Sequence, residues 1–334
     1  MNGFTHYDSP RAKCSSSPVS GPELRGCAEV PKVSVLIPTY NYSRYIKEAI
    51  ESVLNQTYQD FELIIVDNCS TDNTKEVVEQ YTNKDIRIKL IINNVNIGMY
   101  RNYNKALLLA NGEYVKFLNA DDKFNEKCLE IFVGILDANQ DVAIVTSYRQ
   151  FFGAKDDILK PKLLGLINKE KAILEALKHG NWIGEPTTVM FRRKYLYGGL
   201  FDVSLLMFAD FDMWLRQLEH GDLYICDEVL SYFRIHNEQG TAYLNNNIDK
   251  NLFNKLQQSM YTINGLLFNR FIINIFDKHP EAYRQLINKN SDNICKNIWK
   301  SKYWHSKFFY LRPLKIFLWY IYGGLRLLTG RYKW

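Results

Sequence analysis

The chain has 334 residues, 46% of them hydrophobic and 14% aromatic, enough to bury a sizeable core and to build one large domain with an extension. Its net charge of +6 is local: residues 293–334 hold nine Lys and Arg and no Asp or Glu, and without those nine the remaining 33 basic residues face 36 acidic ones. A slightly acidic body excludes a body-wide nucleic-acid surface and leaves any anionic partner to the tail.

The six cysteines (Cys14, Cys27, Cys69, Cys128, Cys226, Cys295) form no C-x-x-C pair, which argues against a zinc site and fits a reducing compartment. The N-terminus lacks an apolar core of signal-peptide type. No segment reaches the roughly 18 uninterrupted apolar residues of a spanning helix. The expectation is a cytoplasmic protein without a nucleic-acid partner.

Residues 1–31, rich in Ser, Pro, Gly and Cys, read as a flexible leader. The pattern then changes. Val33 to Ile37 is an apolar run of buried-strand type, stopped at Pro38. Ser43 is a candidate cap for a helix carrying Ile46, Ala49, Ile50, Val53 and Leu54 at helical spacing. Leu63–Val66 is a second run, ending at Asp67, and the cap-type residues Ser70, Thr71 and Asp72 precede a helix with Val77, Val78 and Tyr81. Ile88–Ile92 ends in Asn93-Asn94. A helix over about 99–110 stops at Asn111-Gly112, and Tyr114–Leu118 runs into Asn119-Ala120-Asp121-Asp122. After another helix, residues 143–148 form a fifth strand.

Residues 150–240 are less regular. They offer a helix near 169–178, a loop through Trp182-Ile183-Gly184-Glu185-Pro186, a strand over 188–192, a helix opening at Asp210, and a strand over 230–235 before His236. Beyond about 250 the pattern is helical.

Strands alternating with helices predict right-handed βαβ units and a mostly parallel sheet flanked by helices. Ligands of such sheets bind beyond the carboxyl ends of the strands. Tyr40, Asp67, Asn94, Asp121 and Asp122 interrupt the apolar runs there, so they converge on one edge. Two adjacent carboxylates repel each other, and a bound Mg²⁺ or Mn²⁺ completed by substrate phosphates relieves that repulsion. A solvated turn is the plainer reading of the same pair. Asp67 suits hydrogen bonding to a base N–H, and Tyr40 suits stacking on a flat ring or simply filling a groove. Trp182 and Trp214 read as core, and Arg192-Arg193 as a solvated pair.

Seven blocks resemble, in order, those of family 2 glycosyltransferases, which have the GT-A fold. They are VSVLIPTYN (33–41), QDFELIIVDNCSTDNT (59–74), NIGMYRNYNKAL (96–107), NGEYVKFLNADD (111–122), WIGEPTTVMFRR (182–193), ADFDMWLR (209–216) and YFRIH (232–236). The resemblance implies a nucleotide-diphosphate-sugar donor, UDP favoured, and a GT-A domain over 32–245. Pro38, Tyr40 and Asp67 would hold the base, with Asn94 beside them. Asn119-Ala120-Asp121 falls on the family's D-x-D, with Asp121 the metal-binding acid and Asp122 and His236 as further candidate metal ligands. Arg234 and His236 match an R-x-H element near the diphosphate. Asp210 matches the general base, the second residue of a Glu-Asp pair. Asn119 stands where the family commonly has Asp, which weakens metal binding. Ala209 stands for the usual Glu, making Asp212 a rival base. An N-cap role for Asp210 is the bland alternative. Cys69, where Gly is common, reads as packing.

The rivals are a sugar nucleotidyltransferase, against which the glycine-free PTYNYSRYI after the first strand counts, and a non-catalytic scaffold with a degenerate site. The tail (246–334) reads as a helical, basic and aromatic extension. It suits either an interfacial segment on anionic lipid, holding the enzyme to the inner face of the cytoplasmic membrane, or a hairpin packed on protein. A glycan or lipid-linked acceptor follows from the former.

Overall fold

The computed structural model describes residues 30–237 and Gln239. The leader up to residue 29 and the basic tail beyond 239 lie outside the described residues, so the expectations placed on them stay with the sequence.

The first half alternates strands and helices. β1 (Val33–Thr39), β2 (Phe61–Asp67), β3 (Ile88–Ile92) and β4 (Tyr114–Phe117) are separated by α1 (Ile46–Leu54), α2 (Thr74–Thr82) and α3 (Met99–Leu109). β5 (Lys123–Phe124), α4 (Cys128–Ala138), β6 (Val142–Gly153), β7 (Asp157–Leu159), β8 (Gly165–Ile167) and α5 (Lys169–His179) follow. A 3₁₀ turn (Pro186–Thr188), β9 (Met190–Arg192), two further 3₁₀ segments, α6 (Ala209–Leu218) and β10 (Asp222–Ile235) complete the described chain.

One sheet runs β3-β2-β1-β4-β9-β6-β10-β5, with β7 on β6 and β8 on β10. The long ladders β1–β2, β2–β3, β1–β4 and β6–β10 are parallel. β9 enters antiparallel between β4 and β6, and the short β5, β7 and β8 are also antiparallel.

Both sheet faces are covered, and the period of two decides which residue goes where. Val33, Val35 and Ile37 of β1 and Leu63 and Ile65 of β2 face the layer of α1, α2 and α4, meeting Ile46, Ile50, Val78 and Phe132. Leu36 of β1 and Ile64 and Val66 of β2 face the opposite layer, meeting Tyr103 and Leu107 of α3, Ala172 of α5 and Trp214 of α6. Trp214 is core, as its spacing predicts, and Trp182 is half-buried against the same cluster.

Several local expectations change. α1 starts after Tyr45 with no side-chain cap, and the Ser43 N–H donates to Asp72 Oδ2 at 3.0 Å. Asp72 also accepts from the Thr74 N–H at 3.1 Å, so one carboxylate fixes the starts of α1 and α2 together. Arg192 is not solvated. Its guanidinium is buried and donates to the carbonyls of Leu136, Asn139 and Val142, closing the C-terminus of α4. β10 begins eight residues before the predicted strand, because register shifts near Cys226 and Val229 break its alternation.

Candidate active site

Register brings the predicted residues to one edge. Thr39 lies beside Asp67, and Asp67 beside Ile92, so the segments after β1, β2 and β3 leave the sheet together. Pro38 is buried near the end of β1, which stays buried through Thr39, and Tyr40 beyond it is 40% exposed. Asp67 is buried, and its Oδ1 accepts from the N–H of Ser70 (3.1 Å) and from the Ser70 hydroxyl. Cys69 in that turn (φ 66°) and Asn41 in the turn after β1 (φ 58°) are both left-handed. The left-handed backbone is the physical reason a glycine suits position 69, where the sequence reading offered only packing.

Asn94 is exposed, and its carbonyl lies 3.7 Å from Cys69 Sγ. Its neighbour Asn93, missed from sequence, is the buried one. Asn93 Nδ2 donates to Asn68 Oδ1 (3.0 Å) and Asn102 Oδ1 (2.8 Å), and Lys105 Nζ donates to Asn93 Oδ1 at 2.6 Å. Asn102 in turn donates to the Val66 carbonyl. This amide network braces the loop over the β2 and β3 ends.

The acidic turn splits into two roles. The Asp122 carboxylate is fully engaged. It accepts from the Thr187 hydroxyl (2.6 Å), Asn119 Nδ2 (3.1 Å) and the Arg234 N–H (2.9 Å). Burial first, and the charge of Asp121 second, push its pKa well above the ordinary carboxylate range. Asp122 therefore joins β4, the 3₁₀ turn and β10, and is poorly disposed as a metal ligand. Asn119, besides reaching Asp122, accepts from the Tyr103 hydroxyl at 2.6 Å, while Ala120 is buried beneath.

Asp121 Oδ2 lies 3.0 Å from His236 Nε2, and the Asp121 carbonyl accepts from Arg234 Nε at 2.8 Å. The Arg234 guanidinium stacks over Phe152 (4.3 Å) and Tyr45 (4.9 Å) and pairs with Glu48 at 2.8 Å. Tyr45 also packs on the His236 ring, centroids 4.7 Å apart. Among the described residues no three His, Cys, Asp or Glu side chains gather into a set that would hold a metal unaided. Asp121 and His236 would offer two ligands. That fits a Mg²⁺ or Mn²⁺ completed by phosphate oxygens and water, and does not fit an all-protein cage.

Asp210 is the second residue of α6. The cap position is Phe208, so Asp210 is not the N-cap. Its Oδ1 accepts from the Phe211 N–H at 2.7 Å and its Oδ2 from Asn181 Nδ2 at 3.2 Å. Burial raises its pKa to about 7; the Phe211 N–H opposes the rise, and the Glu185 charge adds to it. The rival Asp212 is paired with Arg216 (2.8 Å), whose other nitrogens bind the carbonyls of Gly198, Gly199 and Leu200. Asp212 is thereby committed to holding the loop before α6.

Comparison with known proteins gives the family. The profile of Glycosyl transferase family 2 matches residues 34–199. An uncharacterized glycosyltransferase of Methanocaldococcus jannaschii is 34% identical over 219 residues, covering 64% of this chain and 73% of that one. The chain belongs to glycosyltransferase family 2. It is a nucleotide-sugar-dependent glycosyltransferase.

Another relative of the family, TuaG of Bacillus subtilis, named for teichuronic acid biosynthesis, is 45% identical over 100 residues (30% of this chain, 40% of that one). Among solved structures, S. aureus TarS in complex with UDP-GlcNAc superposes with a TM-score of 0.54 at 22% identity, over 80% of this chain and 81% of that one. A mannosyltransferase of Pyrobaculum calidifontis in complex with GDP-Man and Mn²⁺ superposes at 0.50 and 16% identity, over 91% and 89%. Both show the GT-A-like fold. The family profile ends before Asp210, Arg234 and His236, so those residues rest on the geometry above. Among the described residues no helix is long and apolar enough to cross a membrane.

Proposed function

We propose that this glycosyltransferase transfers a sugar from a UDP-sugar to a hydroxyl of a glycan or lipid-linked acceptor, in one inverting displacement assisted by Mg²⁺ or Mn²⁺. The observation that carries the reading is Asp210. A buried carboxylate, held by Asn181 and the Phe211 N–H and poised near neutrality, has the properties of a general base.

In this reading Tyr40 and Asp67, with Pro38, hold the base of the donor. Asp121 and His236 would hold the cation, which when bound supplies positive charge against the departing diphosphate. Arg234 sets the position of Asp121 through its carbonyl and backs His236 through Tyr45. Asp210 takes the proton of the acceptor hydroxyl as its oxygen bonds to the anomeric carbon. The bond from that carbon to the diphosphate oxygen breaks, and the diphosphate leaves with the electron pair. Asp122, expected beside the metal, instead locks the turn.

The preference for UDP draws on the UDP and UDP-GlcNAc complexes of TarS, and the preference for Mn²⁺ on the Pyrobaculum enzyme. A polysaccharide acceptor draws on the teichuronic acid relative. The test is consumption of UDP-, GDP- and dTDP-sugars with and without Mn²⁺, followed by proton NMR of the product. Retained anomeric configuration rules out the single displacement. No metal-dependent turnover with any donor favours a scaffold with a degenerate site, the reading that Asn119 and Ala209 leave open.

A further inference from the structure

The peptide Gly184–Thr187 joins the two acidic centres. At one end Asn181 Nδ2 donates both to the Gly184 carbonyl (3.3 Å) and to Asp210 Oδ2 (3.2 Å), and the Trp214 indole N–H donates to the same carbonyl at 2.9 Å. At the other end the Thr187 hydroxyl donates to Asp122 Oδ2. Glu185 lies within this peptide between its two ends, and its charge adds to the raised pKa of Asp210.

A third carboxylate close to two others is electrostatically unfavourable, so its presence there calls for a reason. Helix capping is not the reason: Glu185 occupies the N-cap position of the 3₁₀ turn and makes no side-chain cap bond. Core packing is not the reason either. Arg149, with a side chain only 7% exposed, pairs with Glu185 Oε2 at 2.8 Å, yet the Glu185 side chain stays 30% exposed. Arg149 anchors the carboxylate at the buried Oε2, and the exposure belongs to the rest of the side chain. A fixed, partly open acceptor group next to the base is what recognition of a substrate hydroxyl requires.

We propose that Glu185 is an acceptor-binding residue that receives a hydrogen bond from the hydroxyl adjacent to the one Asp210 deprotonates. The class of acceptor is an uncharged vicinal diol, as a sugar ring presents. Phosphate or carboxylate on the neighbouring carbon is disfavoured by the two acids. The inference rests on the proposed glycosyl transfer and adds to it the group that selects the acceptor.

Small alcohols test it without knowledge of the natural acceptor. The full chain is given Mn²⁺, whichever of UDP-GlcNAc, UDP-glucose and GDP-mannose it consumes fastest, and glycerol and methanol in competition. Mass spectrometry reads the ratio of glyceryl to methyl glycoside. Wild type favours glycerol beyond its number of hydroxyls. Glu185→Gln and Glu185→Ala each lower the ratio about tenfold, the scale of one charge-assisted hydrogen bond. Their calorimetric affinity for UDP stays at the wild-type value. An unchanged ratio, whether or not UDP affinity and melting temperature fall, assigns Glu185 to structure and overturns the proposal. A wild-type chain that consumes no donor overturns the transfer reading itself, and that outcome is told apart by the donor signal alone.

Discussion

Replacing Asp210 with Asn separates the electrostatics of the base from its shape. The unfolded carboxyl titrates near 4, and the folded one at about 7 because it is buried. Between those values the native state binds a proton that the unfolded state has released. Wild-type stability therefore falls as pH rises through this window, and the loss is complete above about 7. Three pK units correspond to about 4 kcal/mol. Asn removes that term. Its amide must, however, turn an N–H toward the Phe211 N–H or the Asn181 amide, which costs about 1–3 kcal/mol. Asp210→Asn is thus expected to be more stable than wild type at pH 8 by about 1–3 kcal/mol. That advantage shrinks by roughly 2–3 kcal/mol at pH 5. Urea unfolding at the two pH values measures it. Donor turnover in the same variant falls about 10²- to 10⁴-fold, and the wild-type rate rises with pH through about 7. A stability difference that ignores pH refutes the buried-carboxylate argument, and retained turnover refutes the base.

The two acids of the turn are expected to part in calorimetry with UDP and Mn²⁺. Asp121→Asn weakens binding about 10- to 100-fold with little change in melting. Asp122→Asn lowers the melting temperature, since its amide faces three donors, and leaves UDP affinity within a few-fold. Gly184→Ala places a Cβ 2.0 Å from Thr188 Oγ1 at a φ of +134°, so a loss of about 2 kcal/mol or more and a lower kcat are expected in denaturation and turnover assays. Cys69→Gly relieves a left-handed residue and raises stability by about 1 kcal/mol in urea melts. If the tail serves as an interfacial segment, a chain ended at Asp292 sediments less with anionic vesicles than the full chain; equal binding by both removes that role.

Much of the site was legible because a parallel sheet converts sequence order into geometry. Apolar runs of strand length, each stopped by a polar residue, put Tyr40, Asp67 and Asp121 on one edge whatever the details of packing. Strength of periodicity marks where legibility ended. β10 carries bulges that break its alternation, and β5, β7 and β8 are two or three residues long, so the second half of the sheet left little pattern to read. Arg192 looked solvated because charge is usually so. Its burial depends on the C-terminal end of α4, which lies more than fifty positions away in the sequence.

By itself the sequence determined the order of strands and helices, the edge on which ligands meet, and the family, since these follow from local periodicity and successive motifs. Only the tertiary structure decided what each acid does. Asp121 meets His236, Asp122 is consumed by Thr187 and Arg234, Asp212 by Arg216, and Asp210 stays buried and poised. The reason is physical: the acidity and availability of a carboxylate are set by burial and by partners from distant parts of the chain, which no local pattern encodes.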